Sequence, residues 1–157
     1  MIKKYAPYIG FSAIALAAGG ASALLSQSGM RQVYSSLAQP PLAPPGWVFP
    51  AVWSILYVLM GVSAGIVWRE SSGSVRKTAL WLWGGQLFAN SLWTVIYFDL
   101  EMRLAAFFWL LLLLGLVLAM TEKFSRISPA AGRLNWPYVA WLLFAAYLNM
   151  GTYILNG

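Results

Sequence analysis

Residues 40–53 read PPLAPPGWVFPAVW, with five prolines in the first eleven positions and no charge before a long apolar segment begins. Proline lacks the N–H of a helical hydrogen bond and biases the preceding residue toward extended backbone, so this run cannot be helical throughout. Flexible linkers do not interleave prolines with two tryptophans and a phenylalanine. We therefore expect an ordered, proline-rich cap over the mouth of a membrane bundle, with something beneath it to cover.

The composition is that of an integral membrane protein. Of 157 residues, 61% are hydrophobic and 9% are charged, against about 25% charged in soluble domains. The charges leave five apolar windows, each able to hold a helix of roughly 20 residues that crosses the hydrocarbon core. We predict an all-α fold, a single transmembrane domain over 1–157 with five helices and an ordered first loop. The predicted spans are approximately 5–26, 46–68, 78–98, 104–121 and 134–155, with the cap loop at 27–45.

Basic residues are distributed unevenly between the two ends of such a bundle. Eight of the ten share the side of the N-terminus, and only Arg31 and Arg103 fall on the other side. Because basic loops stay in the cytoplasm, the N-terminus is predicted to be cytoplasmic and the cap and C-terminus external. The net charge of +6 is explained by this topology and by attraction to membrane lipid. No nucleic-acid partner is expected, since no soluble basic domain is present.

Two residue types that carry much enzyme chemistry are missing. The chain has no cysteine and no histidine, which excludes disulfides, thiolate nucleophiles, histidine bases and the usual nitrogen and sulfur metal ligands. We expect no metal site and no required cofactor. The four acids fall at predicted loops or helix ends, which argues against proton-coupled transport. Asp99 and Arg103, four positions apart, are expected to pair at a turn.

Aromatic and small or amide residues recur every three or four positions on three of the spans, which is the spacing of one helical face. The stripes are Trp53, Tyr57, Gly61, Ala64 and Trp68; Trp83, Gln86, Asn90, Trp93 and Tyr97; and Tyr138, Trp141, Ala145, Leu148 and Thr152. Trp53, Trp93 and Trp141 lie a turn or more inside their spans, deeper than the interfacial aromatic belt. Three inward indoles and an amide would line a cavity for a flat, largely apolar guest.

The two amides of the third span have two interpretations. An intramembrane amide most often bridges neighbouring helices, by a hydrogen bond worth about 1 kcal/mol or less. That interpretation is favoured for Gln86. For Asn90, next to Trp93 on the same face, a helix bridge and a contact with a bound ligand both remain open.

Two other signals in the sequence are less specific. Gly61 and Gly65 form a GxxxG match, which favours close helix contact and is compatible with a homodimer, although the motif does not say which helix forms it. The fourth span, with five consecutive leucines over 110–114, is apolar on all faces and is expected to face lipid.

Several blocks, in order and spacing, resemble the translocator protein family, whose bacterial members are called tryptophan-rich sensory proteins. The matching residues are Tyr34 with Leu37 and Pro40, Pro44-Pro45, Phe49 with Trp53 and Leu56-Tyr57, Gln86-Leu87 with Asn90 and Trp93, Pro137-Tyr138 with Trp141, and Leu148-Asn149. The resemblance covers most of the chain and places it in a membrane, most simply the bacterial cytoplasmic membrane.

The resemblance implies a five-helix bundle whose first loop covers a cavity among helices one, two, three and five. The implied ligands are tetrapyrroles, such as protoporphyrin IX and haem-related molecules, and drug-like molecules of similar shape. The implied ligand-binding residues are Tyr34, Pro44, Trp53, Asn90, Trp93, Trp141, Ala145 and Leu148. The expected partners are one such small molecule, membrane lipid and a second copy of the chain in a homodimer.

Two classes of function follow. In the first, the protein binds a tetrapyrrole and acts as a sensor, regulator or carrier. In the second, it is an enzyme that degrades porphyrin with light and oxygen, and Trp53 and Trp141 are its catalytic residues. The composition favours the first, because nothing in the chain resembles general acid–base machinery.

The chain departs from the family pattern mainly in the cap. Val33, Gln39 and Leu42 stand where family members often have tryptophan, lysine and tryptophan. Their loss is expected to alter the affinity of the cap for an acidic porphyrin edge. Near the C-terminus, Tyr153 is followed by no basic residue, so specific cholesterol binding is not expected.

Overall fold

A computed structural model describes residues 1–157, and the chain is helical with no strand. The helices are α1 (Ile2–Leu25), α2 (Gln27–Ser36), α3 (Val48–Glu70), α4 (Gly73–Thr94), α5 (Arg103–Ile127), α6 (Pro129–Arg133) and α7 (Trp136–Asn156). A single π-helical turn, Val95–Asp99, continues α4. The prediction of an all-α fold is confirmed.

Four segments are long and apolar enough to cross a membrane: α1, α3, α5 and Pro129–Asn156, which contains α7. The helix α4 has 22 residues but is not among them. Its composition is more polar because it carries Lys77 in its first turns and two amides, Gln86 and Asn90, farther along. The structure thus supports four of the five predicted spans by length and composition.

The long helices form a pair and a triad. In the pair, α1 runs closely along α3; in the triad, α5 packs against both α4 and α7. Glycines make the pair possible, since a Cβ on Gly61 would lie 2.2 Å from Ser12 Cα and one on Gly65 would lie 2.7 Å from Tyr8 Cδ1. The GxxxG motif is therefore buried within one chain, and a homodimer would need another surface.

The pair and the triad are joined in the half of the bundle farther from α2. The indole N–H of Trp83 on α4 donates to the Met60 carbonyl of α3 at 3.2 Å. Asn135, which precedes α7, donates to Ser63 Oγ of α3 at 3.1 Å. These polar groups are buried, and each has a hydrogen-bond partner. Burying a polar group in an apolar interior without a partner would cost free energy.

The fourth span, which is expected to face lipid, has one face buried in the protein core. Leu110, Leu113 and Phe124 of α5 are fully or almost fully buried in the main core, whereas Leu111 and Leu112 are exposed. The reason is that α4 and α7 flank α5, so its apolar surface is shared between protein and surroundings.

The predicted cap loop begins with a helix. α2 sits on the π-helical turn: Ser26 Oγ donates to the Asp99 carboxylate at 2.5 Å, and a Cβ on Gly29 would lie 2.5 Å from the Phe98 carbonyl oxygen. Asp99 therefore binds Ser26, and the expected Asp99–Arg103 ion pair does not form; the salt bridge in the structure joins Glu122 to Arg126.

The contact between α1 and α3 predicts an effect of adding one methyl group. Gly61→Ala should destabilise the protein by about 1–3 kcal/mol, because the Ser12 backbone cannot move away like a side-chain tip. Gly115→Ala on α5 is the matched control, since a Cβ there meets nothing within 4 Å. Thermal unfolding in detergent, followed by circular dichroism, gives the unfolding midpoint of each variant. Equal midpoints for Gly61→Ala and Gly115→Ala would contradict the close contact between α1 and α3.

Candidate functional site

A cavity of about 880 Å³ lies at the α2 end of the bundle, between the α1–α3 pair and the α4–α7 side of the triad. Its walls come from α1, α3, α4 with its π-helical turn, and α7, while α2 covers it and α5 contributes nothing. The principal apolar and aromatic wall residues are Met30, Phe49, Trp53, Tyr57, Trp93, Tyr97, Phe98, Ala145 and Leu148. This volume suits a drug-sized ligand.

Two stacked aromatic pairs stand in the cavity wall. Trp53 stacks on Tyr57 with ring centroids 5.5 Å apart and planes at 28°, and Trp93 stacks on Tyr97 at 5.3 Å and 21°. The Trp93 indole N–H donates to Asn149 Oδ1 at 3.1 Å, which fixes the ring. The Trp53 indole N–H donates to no protein group, so a donor remains for a ligand.

A buried hydrogen-bond chain links α4 to α7 below the cavity. Asn90 Nδ2 donates to the Tyr138 hydroxyl at 2.9 Å, and that hydroxyl donates to Gln86 Oε1 at 2.8 Å. Both amides therefore bridge helices. Asn90 also lines the cavity and its Oδ1 accepts no hydrogen bond from the protein, so its two interpretations are compatible.

The roof of the cavity is one face of α2. Gln27, Met30, Arg31 and Tyr34 follow the i, i+3, i+4, i+7 spacing of one helical face, and Val33 and Ser35 line the cavity on either side of it. The Tyr34 ring lies 5.6 Å from that of Phe49 on α3. Burial, and secondarily the nearby Tyr97, raises the pKa of Tyr34, so its phenol stays protonated as a neutral donor.

The proline run does not cover the cavity, which corrects the expectation for residues 40–45. It lies on α7 instead, where Pro40 occupies the space that a Cβ on Gly151 would need. The Tyr147 hydroxyl donates to the Pro41 carbonyl at 2.6 Å. The rigid run therefore anchors the roof, and α2 forms it.

Asn156, at the end of α7, completes this anchor. Its Oδ1 accepts from the Ala38 N–H at 3.0 Å, and its Nδ2 donates to the Ala38 carbonyl at 2.9 Å. One amide side chain thus satisfies both polar groups of a backbone unit just beyond α2. We call this pair of bonds the Asn156 clasp.

The structure brings together six of the eight predicted ligand contacts and separates two. Those on the cavity wall are Tyr34, Trp53, Asn90, Trp93, Ala145 and Leu148. Pro44 is not among the residues that line the cavity. Trp141 packs behind the wall, 6.5 Å from Trp53 and 5.8 Å from Phe49, centroid to centroid. As ligand contacts, the six remain predictions.

Sequence reasoning missed several wall residues. Tyr57, Tyr97 and Thr152 lie on the stripes identified in the sequence, so the pattern could have indicated them. Arg31 was counted only as a topological charge, and no pattern in the chain places it at the cavity.

The three cap substitutions have different surroundings. Val33 is buried in a small cluster with Tyr97 and Phe98. Gln39 lines the cavity, whereas Leu42 is 83% exposed. Leu42 has φ 71°, in a turn closed by the bond from Ala43 N to the Pro40 carbonyl at 3.2 Å. Glycine would favour that backbone, so Leu42 costs some stability there without touching the cavity.

The fold and the cavity define a helical integral membrane protein with a covered cavity at one end of its bundle. Comparison with known families makes this more specific. The model of the TspO/MBR family matches residues 11–155, and the chain belongs to this family. The resemblance found in the sequence is thereby confirmed.

Relatives from animals and bacteria share this similarity over nearly the whole chain. A sheep (Ovis aries) protein named translocator protein is 33% identical over 95% of this chain and 89% of its own length. Protein CrtK of Rhodobacter capsulatus is 37% identical over 91% of this chain and 89% of its own. The tryptophan-rich protein TspO of Chlorobaculum tepidum is 31% identical, covering 91% of each.

The Asn156 clasp predicts a change in backbone protection. Asn156→Ala should raise amide hydrogen exchange at Ala38 by roughly five- to tenfold, since a hydrogen bond contributes about 1 kcal/mol net. Exchange followed by mass spectrometry of the peptide containing Ala38 measures it. Tyr153→Phe, which removes a hydroxyl without a protein partner from the same stretch of α7, should leave exchange unchanged. Equal protection in all three proteins would mean that the clasp contributes nothing.

Proposed function

We propose that this protein binds a tetrapyrrole, protoporphyrin IX or a haem-related molecule, in the covered cavity and acts as a sensor, regulator or carrier. The observation that carries the proposal is an 880 Å³ cavity with stacked aromatic pairs in its walls. Such walls suit a flat, apolar macrocycle, because aromatic faces and edges contribute stacking energy beyond their buried area.

Few but well-placed polar groups accompany these aromatic walls. The free indole N–H of Trp53 and the free Oδ1 of Asn90 offer one donor and one acceptor within the cavity. A small number of fixed polar groups in an apolar cavity is what orients a ligand. The Tyr34 phenol supplies a further neutral group in the roof.

The chemistry of the lining supports binding over conversion of the ligand. No carboxylate, lysine, histidine or cysteine lines the cavity. Trp141, one of the two residues that the enzyme alternative requires, contacts Trp53 edge-on and does not reach the cavity. That alternative would therefore depend on Trp53 alone touching the porphyrin. The name translocator protein, borne by relatives, favours the carrier form of the proposal.

The binding proposal predicts a saturable porphyrin complex in the dark. Trp53→Leu should weaken it by roughly three- to tenfold, since an aromatic contact contributes about 0.5–1.5 kcal/mol beyond its area. Trp81→Leu, which removes a 72% exposed indole far from the cavity, is the matched control. The shift of the porphyrin absorption band on titration measures both affinities, and equal weakening would contradict the site.

Illumination of the same samples tests the enzyme alternative. We expect the absorption spectrum of the bound porphyrin to stay unchanged beyond the bleaching seen without protein. Protein-dependent loss of the band that Trp53→Phe abolishes would instead support degradation. The same measurement on Trp141→Phe shows whether the Trp141 indole takes part in any degradation of the porphyrin.

We also propose α4 as the fifth span, with the N-terminus in the cytoplasm and the cap external. Support comes from its length of 22 residues and from its buried amides, each of which forms a hydrogen bond with Tyr138 inside the bundle. Hydrogen-bonded amides lower hydropathy without exposing polar groups to lipid.

An odd number of spans puts the two termini on opposite sides of the membrane. Alkaline phosphatase fused after Gly157 in a bacterial host should be active, and green fluorescent protein at the same position should be dark. The reverse result would contradict either the fifth span or the orientation. The same reporters fused after Ser72, between α3 and α4, distinguish these two causes, since only a cytoplasmic loop fits the proposal.

A further inference from the structure

Arg31 is the only lysine, arginine, aspartate or glutamate among the residues that line the cavity. It lies in the middle of the α2 face that forms the roof, one helical turn from Gln27 and one from Ser35. Its side chain is exposed and makes no hydrogen bond or salt bridge with the protein. The cavity therefore has a cation at its mouth that no protein group neutralises.

The other charged groups at this end of the bundle have different surroundings. Asp99 accepts a hydrogen bond from Ser26, and neither Asp99 nor Glu101 forms a salt bridge with Arg31. Arg103, the second basic residue here, donates to the Glu101 carbonyl at 3.5 Å and is not part of the cavity lining. Arg31 is thus the cation that an entering ligand meets.

The charged group and the aromatic pairs lie in different parts of the cavity. The roof and mouth carry Arg31 with Gln27, Ser35 and Gln39. The deeper wall carries the stacked aromatics around Trp53 and Trp93, and its polar groups, such as Asn90 and Asn149, are uncharged. A ligand that is apolar at one edge and anionic at the other would match both regions in one orientation. Its ring system would face the stacked aromatics, and its anionic edge would face α2.

We propose that Arg31 binds a carboxylate of the ligand, so that the cavity selects flat apolar molecules with a carboxylate edge over their neutral analogues. This rests on the proposed function and adds the residue that sets specificity. A guanidinium suits the task, because its planar array of N–H donors matches the two oxygens of a carboxylate. Arg31 also supplies a positive charge in the cap. Family members often have a lysine at the position of Gln39, and Gln39 itself is neutral.

The test compares protoporphyrin IX, which has two carboxylates, with its dimethyl ester, which has none. The full-length protein is placed in nanodiscs of phosphatidylcholine, whose zero net charge keeps lipid electrostatics out of the comparison. Wild type, Arg31→Gln and Arg31→Lys are titrated with each porphyrin, with empty nanodiscs as the partition blank. Arg133→Gln removes the same charge from the exposed far end of the bundle and is the matched control.

Arg31→Gln should weaken binding of the diacid by roughly three- to tenfold and leave binding of the diester unchanged, as expected for a solvent-accessible ion pair. Arg31→Lys should retain part of the preference for the diacid over the diester, and Arg133→Gln should retain all of it. Raising the salt concentration should reduce the preference of wild type but not of Arg31→Gln.

Three other outcomes overturn the inference in distinguishable ways. If Arg31→Gln leaves the affinities for the diacid and the diester both as in wild type, Arg31 does not bind the carboxylate, and the proposed function still stands. If neither porphyrin binds saturably to wild type, the proposed function fails and this inference fails with it. Equal weakening of both porphyrins by Arg31→Gln would show a structural role and also overturn it.

Discussion

Two side-chain bridges between α4 and α7 set the width of the cavity. The Tyr138 phenol reaches across to both Asn90 and Gln86, and the Trp93 indole reaches across to Asn149. Polar groups in an apolar interior are costly unless paired, so each bridge holds its helices at the distance that its side chains span. Where large side chains meet end to end, two helices cannot approach as closely as they do across glycine. The space above the bridges is the cavity.

The α1–α3 pair shows the opposite packing, and the contrast explains why the cavity lies where it does. Gly61 and Gly65 let α1 approach α3 closely, and bonds from Trp83 and Asn135 hold the triad to α3 in the half of the bundle away from α2. Small residues and short bonds close that half. In the other half the aromatic pairs Trp53–Tyr57 of α3 and Trp93–Tyr97 of the α4 side stand between the helices. The bundle is thus tightly packed at one end and contains the cavity at the other, where α2 covers it.

The sequence predicted the parts that follow from periodicity and hydropathy. Helical stripes on three spans placed Trp53, Asn90 and Trp93 on inward faces, and the structure puts all three on one cavity wall. It could not predict that Trp141 lies behind that wall, because a stripe defines a face and not which neighbour the face meets. The helix α2 escaped prediction since its polar composition is that of a loop, and its position depends on tertiary contacts through Gly29 and Ser26.

The two ends of the roof are held by contacts of different kinds, and this decides which end opens at the lower free energy. At its start, Ser26 is fully buried and Gly29 lies against the backbone at Phe98, so release would expose packed surface and a bonded carboxylate. At its end, the bonds between Asn156 and Ala38 are exposed to solvent, where water can replace them at little cost. The Asn156 clasp is therefore the weaker of the two attachments of the roof, and the contact through Ser26 and Gly29 is the stronger. The proline run adds a stiff segment beside the clasp, because its backbone is restricted and Pro40 packs against Gly151.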